Sequence, residues 1–495
     1  MITSKPTYHY DSLITRYAYH HGYYDRHERE FRGFGMVEQW DTEEVDFFGE
    51  PGLFPVGSNE EDTYALPPVY TKTWFHNGYF EEMNRVSQQF KKEYYQGDGA
   101  AWHLPDSILP QGLTATEWRE AHRALKGQPL RSEVYHINED GSVSEPYTVS
   151  ESNYRVRRIQ PKGENRFASF QTLPEESLSY QYEQNPADPR IAHELTLETD
   201  LYGMPLRSAH VAYPRRGTGH PIPQSRPLMV LTKQEYIHLD DQTNALRLAI
   251  PYRVEAWEIT GLAAGNLLSA DDLDEAFDNA SAIDYLTTPN YSSEQKRLVA
   301  KTEAEYYNAA LSAALPLGEA AMHALPYQSY SLALTAAMKS TVYGSYSEVD
   351  DTLLANEGGY AKRGSDFYAP SGIFTFDDAA FFTIEKTTDP FGEETHFEYD
   401  SYHLMALKTT DAYGNEMSVE PDYRVLAPWQ VTDPNGNRQQ VAFDARGMVV
   451  KTAVMGKQGD SDGDTLSDPT GILEYGLFNW MTHGQPNYAH SLMRE

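Results

Sequence analysis

The sequence predicts a mainly β protein, an antiparallel sheet of short repeats interrupted by two helical insertions. Three observations predict it: a fixed spacing of aspartates, side chains that alternate between them, and an abundance of tyrosine. The stretches "TDPFGEE" (388–394), "TDAYGNE" (410–416) and "TDPNGNR" (432–438) recur every 22 residues, and Asp400, Asp422 and Asp444 fall midway, so an Asp returns every 11 residues from Asp389 to Asp444. In Asp389-Pro390-Phe391-Gly392 and Asp433-Pro434-Asn435-Gly436 the Asp supplies a side-chain acceptor, Pro presets φ, and Gly takes the left-handed position. That is the signature of a three-residue hairpin loop with a bulge. About seven extended residues remain in each unit, enough for a strand of roughly 23 Å.

Between the turns, Thr395, Phe397 and Tyr399 share a parity matched by Met417, Val419 and Pro421 and by Gln439, Val441 and Phe443. Glu394, His396, Glu398, Glu416, Ser418, Glu420, Arg438 and Gln440 take the other face. One face is mostly apolar and the other polar, the pattern of an antiparallel sheet covered on one side. A fixed period further marks a repeat architecture whose units need their neighbours. With 36 Tyr among 495 residues, the composition suits half-exposed sheet faces.

Taken in chain order, residues 1–79 read as β-hairpins, with Gly22, Gly33 and Gly35 as breaks. His20, His21 and His27 lie here, but adjacent strand residues point to opposite faces, so no metal site is expected. Residues 80–127 read as a helical insertion comprising "YFEEMNRVSQQFKKEYY" and "TATEWREAHRALKG", the second opened by a Thr114/Glu117 capping box and closed by Gly127. Sheet returns over 128–268, with a hairpin at Asp140-Gly141, a second Asp turn at Asp200–Gly203, and Arg155, Arg157 and Arg158 expected on a solvated edge.

The segment 269–340 reads as a second helical insertion because "SADDLDEAFDNASAIDYL", "SSEQKRLVAKTEAEYYNAALSAAL" and "SYSLALTAAMKSTVY" are rich in Ala and Leu. Residues 341–385 connect it to the repeats of 386–454, and 455–495 form an acidic loop and the start of further repeats. In that loop Asp460, Asp462 and Asp464 resemble a calcium site, but an EF-hand wants Gly and Glu where Thr465 and Gly471 stand, so the loop is expected to be solvated.

Composition narrows the function. With 40 Lys plus Arg against 73 Asp plus Glu, the formal net charge is −33, which argues against nucleic-acid binding and favours a basic protein partner. The absence of cysteine removes disulfides and thiolate chemistry. Residues 1–15 lack the apolar core of a signal peptide, and no run is long enough for a transmembrane helix. Glu28/Glu30 and Glu303/Glu305 have the Glu-x-Glu spacing of ADP-ribosyltransferases, but no Ser-Thr-Ser strand accompanies them. No nucleophile and base pair up, so no catalytic residue is assigned, and neither is any metal or cofactor.

Longer phrases carry a resemblance: "RYAYHHGYYDRHEREFRGFGMVEQWDTEE" (16–44), "TKTWFHNGYF" (71–80), "RALKGQPLRSEVY" (123–135), "NPADPRIAHELTLETDLYGMPLRSAHVAYPRR" (185–216) and "DYRVLAPWQVTDPNGNRQQVAFDARGMVVKTAVMGK" (422–457). In order, they resemble the middle region and first Rhs-like repeats of the B component of bacterial insecticidal toxin complexes, so the chain looks like a fragment of one. The resemblance implies a spiralling antiparallel sheet of Rhs/YD-type repeats, a shell segment that helps to encapsulate the toxic C-terminal effector of a C-component partner for delivery into host cells. It further implies an A-component pore reached through a propeller region not seen in this sequence. Synthesis in the bacterial cytoplasm, release without a classical signal peptide and no membrane insertion by this chain go with that reading. The alternatives are a glycan-binding YD-repeat adhesin and an ADP-ribosyltransferase-associated virulence protein.

Overall fold

The computed structural model describes residues 8–11, 14–42, 68–80, 86–138, 141–241, 243, 245–460, 462–484 and 487–494. Two antiparallel sheets account for most of them. One, of fifteen strands, begins at the edge strand Ile14–Asp25 and adds neighbours nearly in chain order through Glu30–Thr42, Val69–Phe75, Pro129–Ile137, Val143–Gln160 and Ser169–Gln181. It continues through Arg190–Thr199, Pro205–Ala212, Leu228–Leu239, Arg247–Thr260, Gln295–Tyr306 and Pro326–Leu334 to Asp366–Pro370 and Ala361–Arg363. Ser281–Ile283 pairs in parallel with Gln295–Tyr306.

The second sheet has eleven strands. Its path runs from Ile373–Asp377 through the seven strands Thr383–Thr388, Glu394–Tyr399, Ala406–Thr410, Glu416–Asp422, Ala427–Thr432, Asn437–Phe443 and Val449–Lys457. Gly471–Gly476, Tyr488–Arg494 and the distant Tyr8–Asp11 follow. The expected meander over the repeats is therefore present, each strand pairing with the next. Each 22-residue repeat adds two strands and advances the wall by about 10 Å.

The largest core lies on the first sheet. Leu178, Val211, Leu231, Met229 and Ile259 are buried there beneath the helix Ala270–Asn279, which contributes Leu273, Ala276 and Phe277. That helix starts at a capping box between Ser269 and Asp272. The helix Ala115–Ala124 starts at the expected Thr114/Glu117 box and buries Ala121 against Tyr154 and Val156.

Most of the expected helix elsewhere is absent. Across 292–315 the chain forms the strand Gln295–Tyr306, and across 329–343 it forms the strand Pro326–Leu334 before the short helix Ala336–Tyr343. Leu298, Ala300, Ala304 and Tyr306 alternate with Arg297, Lys301, Glu303 and Glu305 in the first of these, a period of two that Ala-rich composition obscures. Neighbours on both sides, Arg247–Thr260 and Pro326–Leu334, then fix it as sheet. Residues 341–385, expected to connect, hold the helix Asp351–Asn356 and three further strands.

The expected helix of 79–95 is also not seen in the described part of that segment. Among its described residues, 86–95 make turns and a single 3-10 turn at Lys91–Glu93. Tertiary bonds outbid the helical ladder here: the Asp106 carboxylate accepts from the Val86 and Ser87 amides, and Glu133 accepts from the Tyr95 amide at 2.8 Å. The segment thereby becomes a strap that seats Phe90 and Tyr94 on Met36, Trp74 and Leu130.

Candidate functional site: the repeat wall and its charged braces

The repeat turns are built alike. At Asp389 the backbone amide donates to the Glu393 carbonyl (2.9 Å), the Gly392 amide donates to the Asp389 carbonyl (3.1 Å), and Asp389 Oδ1 accepts from the amides of Phe391 and Glu393 at 2.8 Å each. Asp411 repeats this with Tyr413 and Asn415, and Asp433 with Asn435 and Asn437. Gly392, Gly414 and Gly436 all have φ near +80 to +90° (90, 78 and 83°), as the left-handed position requires. Asn415 and Asn437 each add a side-chain bond to their Asp, and with the amides they hold Asp411 and Asp433 below the usual carboxylate range.

A second row lies along the opposite edge of the meander. Asp400 collects the amides of Tyr402, Leu404 and Met405, and Asp444 those of Arg446 and Met448. Successive turns of this row touch: Tyr423 Oη donates to Asp400 at 3.1 Å, and the Tyr402 and Tyr423 rings meet edge-on at 5.9 Å. The Asp200–Gly203 turn has the same form, with Asp200 Oδ1 accepting from the Tyr202 and Met204 amides at 2.8 Å. The Asp is therefore a covalently supplied acceptor for donors that a tight turn would leave unpaired.

The first sheet is braced differently, by buried ions. Arg131 lies between Glu133 and Glu151, donating from Nε to Glu133 at 2.5 Å and from Nη1 to Glu151. Tyr135 Oη donates to Glu133 at 2.5 Å, while Glu151 also takes His103 Nδ1 at 2.6 Å and the Leu104 amide at 3.0 Å. Desolvation opposes charge on both sides, yet the charges of Glu133 and Glu151 hold Arg131 above its ordinary range, and the His103 bond together with the Arg131 charge holds Glu151 below its own. The cluster ties the strap of residues 86–113 to strands Pro129–Ile137 and Val143–Gln160. A cavity of about 30 Å³ beside His103 and Glu151 has room for about one water.

Tyrosine hydroxyls serve the same end. Tyr180 Oη accepts from the Trp102 amide at 2.7 Å, Tyr182 Oη donates to Asp98 at 2.9 Å, and Tyr154 Oη donates to the Pro129 carbonyl at 2.8 Å. Burial pushes the Tyr154 phenol up to about 12, so it remains a neutral donor.

The residues singled out from sequence are placed as follows. Glu28 pairs with Arg119 (2.8 Å) and Glu30 with Lys126 (3.0 Å), so that Glu-x-Glu anchors the helix Ala115–Ala124. Glu303 is ringed by Arg253, Lys301 and Arg363 at 3.1–3.2 Å, and Glu305 also pairs with Arg363 at 2.7 Å. His20 pairs with Glu38 and His21 with Glu93, at 2.7 and 3.0 Å. His21 has φ of 55°, so regular strand alternation fails there, and the two rings sit 6.4 Å apart on different carboxylates.

Arg155, Arg157 and Arg158 lie beyond Glu151, where the pairing with Pro129–Ile137 stops; Ser169–Gln181 pairs with them on one side, and on the other Ile108 alone bridges to Arg155. Arg155 meets Glu175, Arg157 donates to the Asp200 carbonyl at 2.7 Å, and Arg158 meets Glu117 at 3.3 Å. Asp464 is bound by Arg494 and by Thr470 Oγ1, the latter at 2.6 Å. Among the described residues no group of three or more His, Asp or Glu could hold a metal ion. The Arg131 cluster was missed from sequence; the Arg-Ser-Glu spacing at 131–133 is too common to mark it.

Long antiparallel sheets, regular Asp turns and ion-braced straps define a repeat-built β-wall protein. Family comparison agrees: residues 2–78 match the middle/N-terminal region of the insecticide toxin TcdB, and residues 120–255 match its middle/C-terminal region. Together the two matches support a toxin-complex B component of the TcdB kind. The solved TcdB2-TccC3 structure is similar at 22% identity and a TM-score of 0.65, over 97% of this chain and 25% of that one. The Photorhabdus luminescens Tc holotoxin pore gives 22% identity and a TM-score of 0.63, over 94% of this chain and 23% of that one. The chain thus spans about a quarter of the length of those it matches. No curated protein sequence matches it.

Proposed function

We propose that this chain is a structural, non-enzymatic wall segment of a toxin-complex shell, which encloses the toxic C-terminal segment of a C-component partner. The observation that carries the reading is a fold shared over 94–97% of the chain with chains solved in TcdB2-TccC3 assemblies. Physical features support it. Turns of four to six residues place successive strands of the repeats side by side, and an antiparallel sheet extended in this way makes surface rather than a pocket. The formal charge of −33 suits a basic, largely unfolded polypeptide cargo. In this reading the A component is a pore that receives the cargo, the complex acts outside the producing cell, and the chain needs no metal or cofactor.

The test is protease protection. The C partner is co-expressed with the remainder of a B component, with and without residues 1–495, and its toxic segment is followed by digestion. The segment is expected to resist protease only when this chain is present; equal resistance in both preparations refutes the proposal. A second reading, glycan binding, is favoured by one patch: Tyr17, Tyr19, Phe31 and Phe34 are exposed together, with the Tyr19 and Phe34 rings 4.9 Å apart and those of Phe31 and Phe34 5.2 Å apart. A glycan array with the isolated chain decides it, since a wall segment alone gives no sugar-specific signal.

A further inference from the structure

The ends of the two sheets are treated differently. The first sheet ends at Ala361–Arg363, a strand of three residues, short enough to be a poor template. Its other end, Ile14–Asp25, is broken by the positive φ of His21. At the second sheet's Ile373–Asp377 end the chain is stitched onto the first sheet: the Ser371 amide donates to the Ser329 carbonyl at 2.7 Å, and Tyr307 Oη donates to the Phe374 carbonyl at 2.7 Å. The remaining end is Tyr488–Arg494, a seven-residue strand paired on its inner side with Gly471–Gly476.

Its outer side is occupied from the far end of the sequence. Tyr8–Asp11 pairs with it antiparallel, in the register Tyr8↔Arg494, His9↔Met493, Tyr10↔Leu492 and Asp11↔Ser491. After Asp11 the chain re-enters sheet at Ile14, the start of the end strand of the first sheet. The order of strand neighbours therefore returns to its starting point: one junction is the Tyr307 and Ser371 stitch, and the other is Tyr8–Asp11.

We infer that Tyr8–Asp11 is a latch, which closes the strand path in cis by occupying an edge that otherwise templates pairing with a second copy of this chain. The argument needs only backbone pairing. An open seven-residue edge presents a row of unpaired donors and acceptors, and an identical edge from another molecule is its most available complement. Four residues suffice to cap Ser491–Arg494, and being so few they are also the segment most readily displaced. The inference is independent of the proposed function, because it concerns the isolated chain and involves no cargo.

The absence of native cysteine makes the test clean. Opposed residues of an antiparallel pair have Cα atoms about 4.5–5.5 Å apart, within disulfide range. A slip of two residues lengthens this to roughly 8–9 Å, beyond that range. Tyr10→Cys with Leu492→Cys is expected to give an intramolecular disulfide on mild oxidation, seen as a linked peptide pair and a monomer of altered mobility. His9→Cys with Met493→Cys serves as an independent in-register pair should the first variant fail to fold. Tyr10→Cys with His490→Cys should remain open.

His9→Pro with Tyr10→Pro provides the converse. Adjacent amides point to opposite sides of a strand, so one of the two prolines must remove a ladder donor. Faster amide exchange at Ser491–Arg494 and a rise in self-association are expected. The latch is refuted if neither in-register pair links within one chain, if the slipped pair links equally well, or if the double proline leaves both exchange and oligomeric state unchanged.

Discussion

Gly436→Val isolates what the repeat turn demands of the backbone. Gly436 has φ of +83°, and a Cβ built there meets only Lys457 Cγ, at 3.8 Å, an ordinary contact with a flexible side chain. The cost is therefore conformational and amounts to about 1–2 kcal/mol for a Cβ in the left-handed region. Gly447 has the same φ, but its Cβ would lie 2.8 Å from Val425 Cγ1, so Gly447→Ala carries an added steric cost of about 1 kcal/mol. Gly436→Asn should be milder than either, because Asn tolerates this region. The chain is too large for a single unfolding free energy to be meaningful, so amide exchange of peptides spanning 427–443 is the suitable measure. A cost of 1–2 kcal/mol corresponds to opening about 5–30 times more often. Unchanged exchange in Gly436→Val, or a smaller effect for Gly447→Ala than for Gly436→Ala, contradicts the turn assignment and its energetics.

Three further outcomes are expected. Arg131→Met leaves the buried Glu133 and Glu151 without their shared cation, which should destabilise the first sheet by about 3–5 kcal/mol and release the strap; limited proteolysis within residues 86–113 measures it. Burial lowers His76 to about 3, so the unfolded chain binds its proton more readily; stability from this group is complete above about pH 6.5 and falls by roughly 1.4 kcal/mol per unit as pH drops toward 3. Amide exchange of peptides spanning 69–80, corrected for its intrinsic pH dependence, compares the parent with His76→Leu at pH 7 and 5, and an identical pH dependence in the two refutes the assignment. Asp433→Asn keeps an acceptor oxygen for the Asn435 and Asn437 amides, whereas Asp433→Ala keeps none, so exchange at those two amides should rise more in the alanine variant; equal exchange in the two refutes the acceptor role.

The repeat was legible because its information is local. Asp, Pro and Gly each fix a turn through their own bonds, and a strand of period two needs no distant partner to be recognised, so the meander from Thr383 to Lys457 and the turn at Asp200 follow from the letters alone. The capping box at Thr114 was legible for the same reason. Residues 79–95 and 292–315 were not, because their helix propensity amounts to a few tenths of a kcal/mol per residue and yields to pairing and burial supplied by distant chain. Asp106 and Glu133 take the amides of the first, and strands from two other parts of the sequence flank the second. Buried Arg131, the partners that Arg155, Arg157 and Arg158 find in Glu175, Asp200 and Glu117, and the meeting of Tyr8–Asp11 with Tyr488–Arg494 are likewise decided only in three dimensions, since each joins groups whose separation along the chain bears no relation to their separation in space.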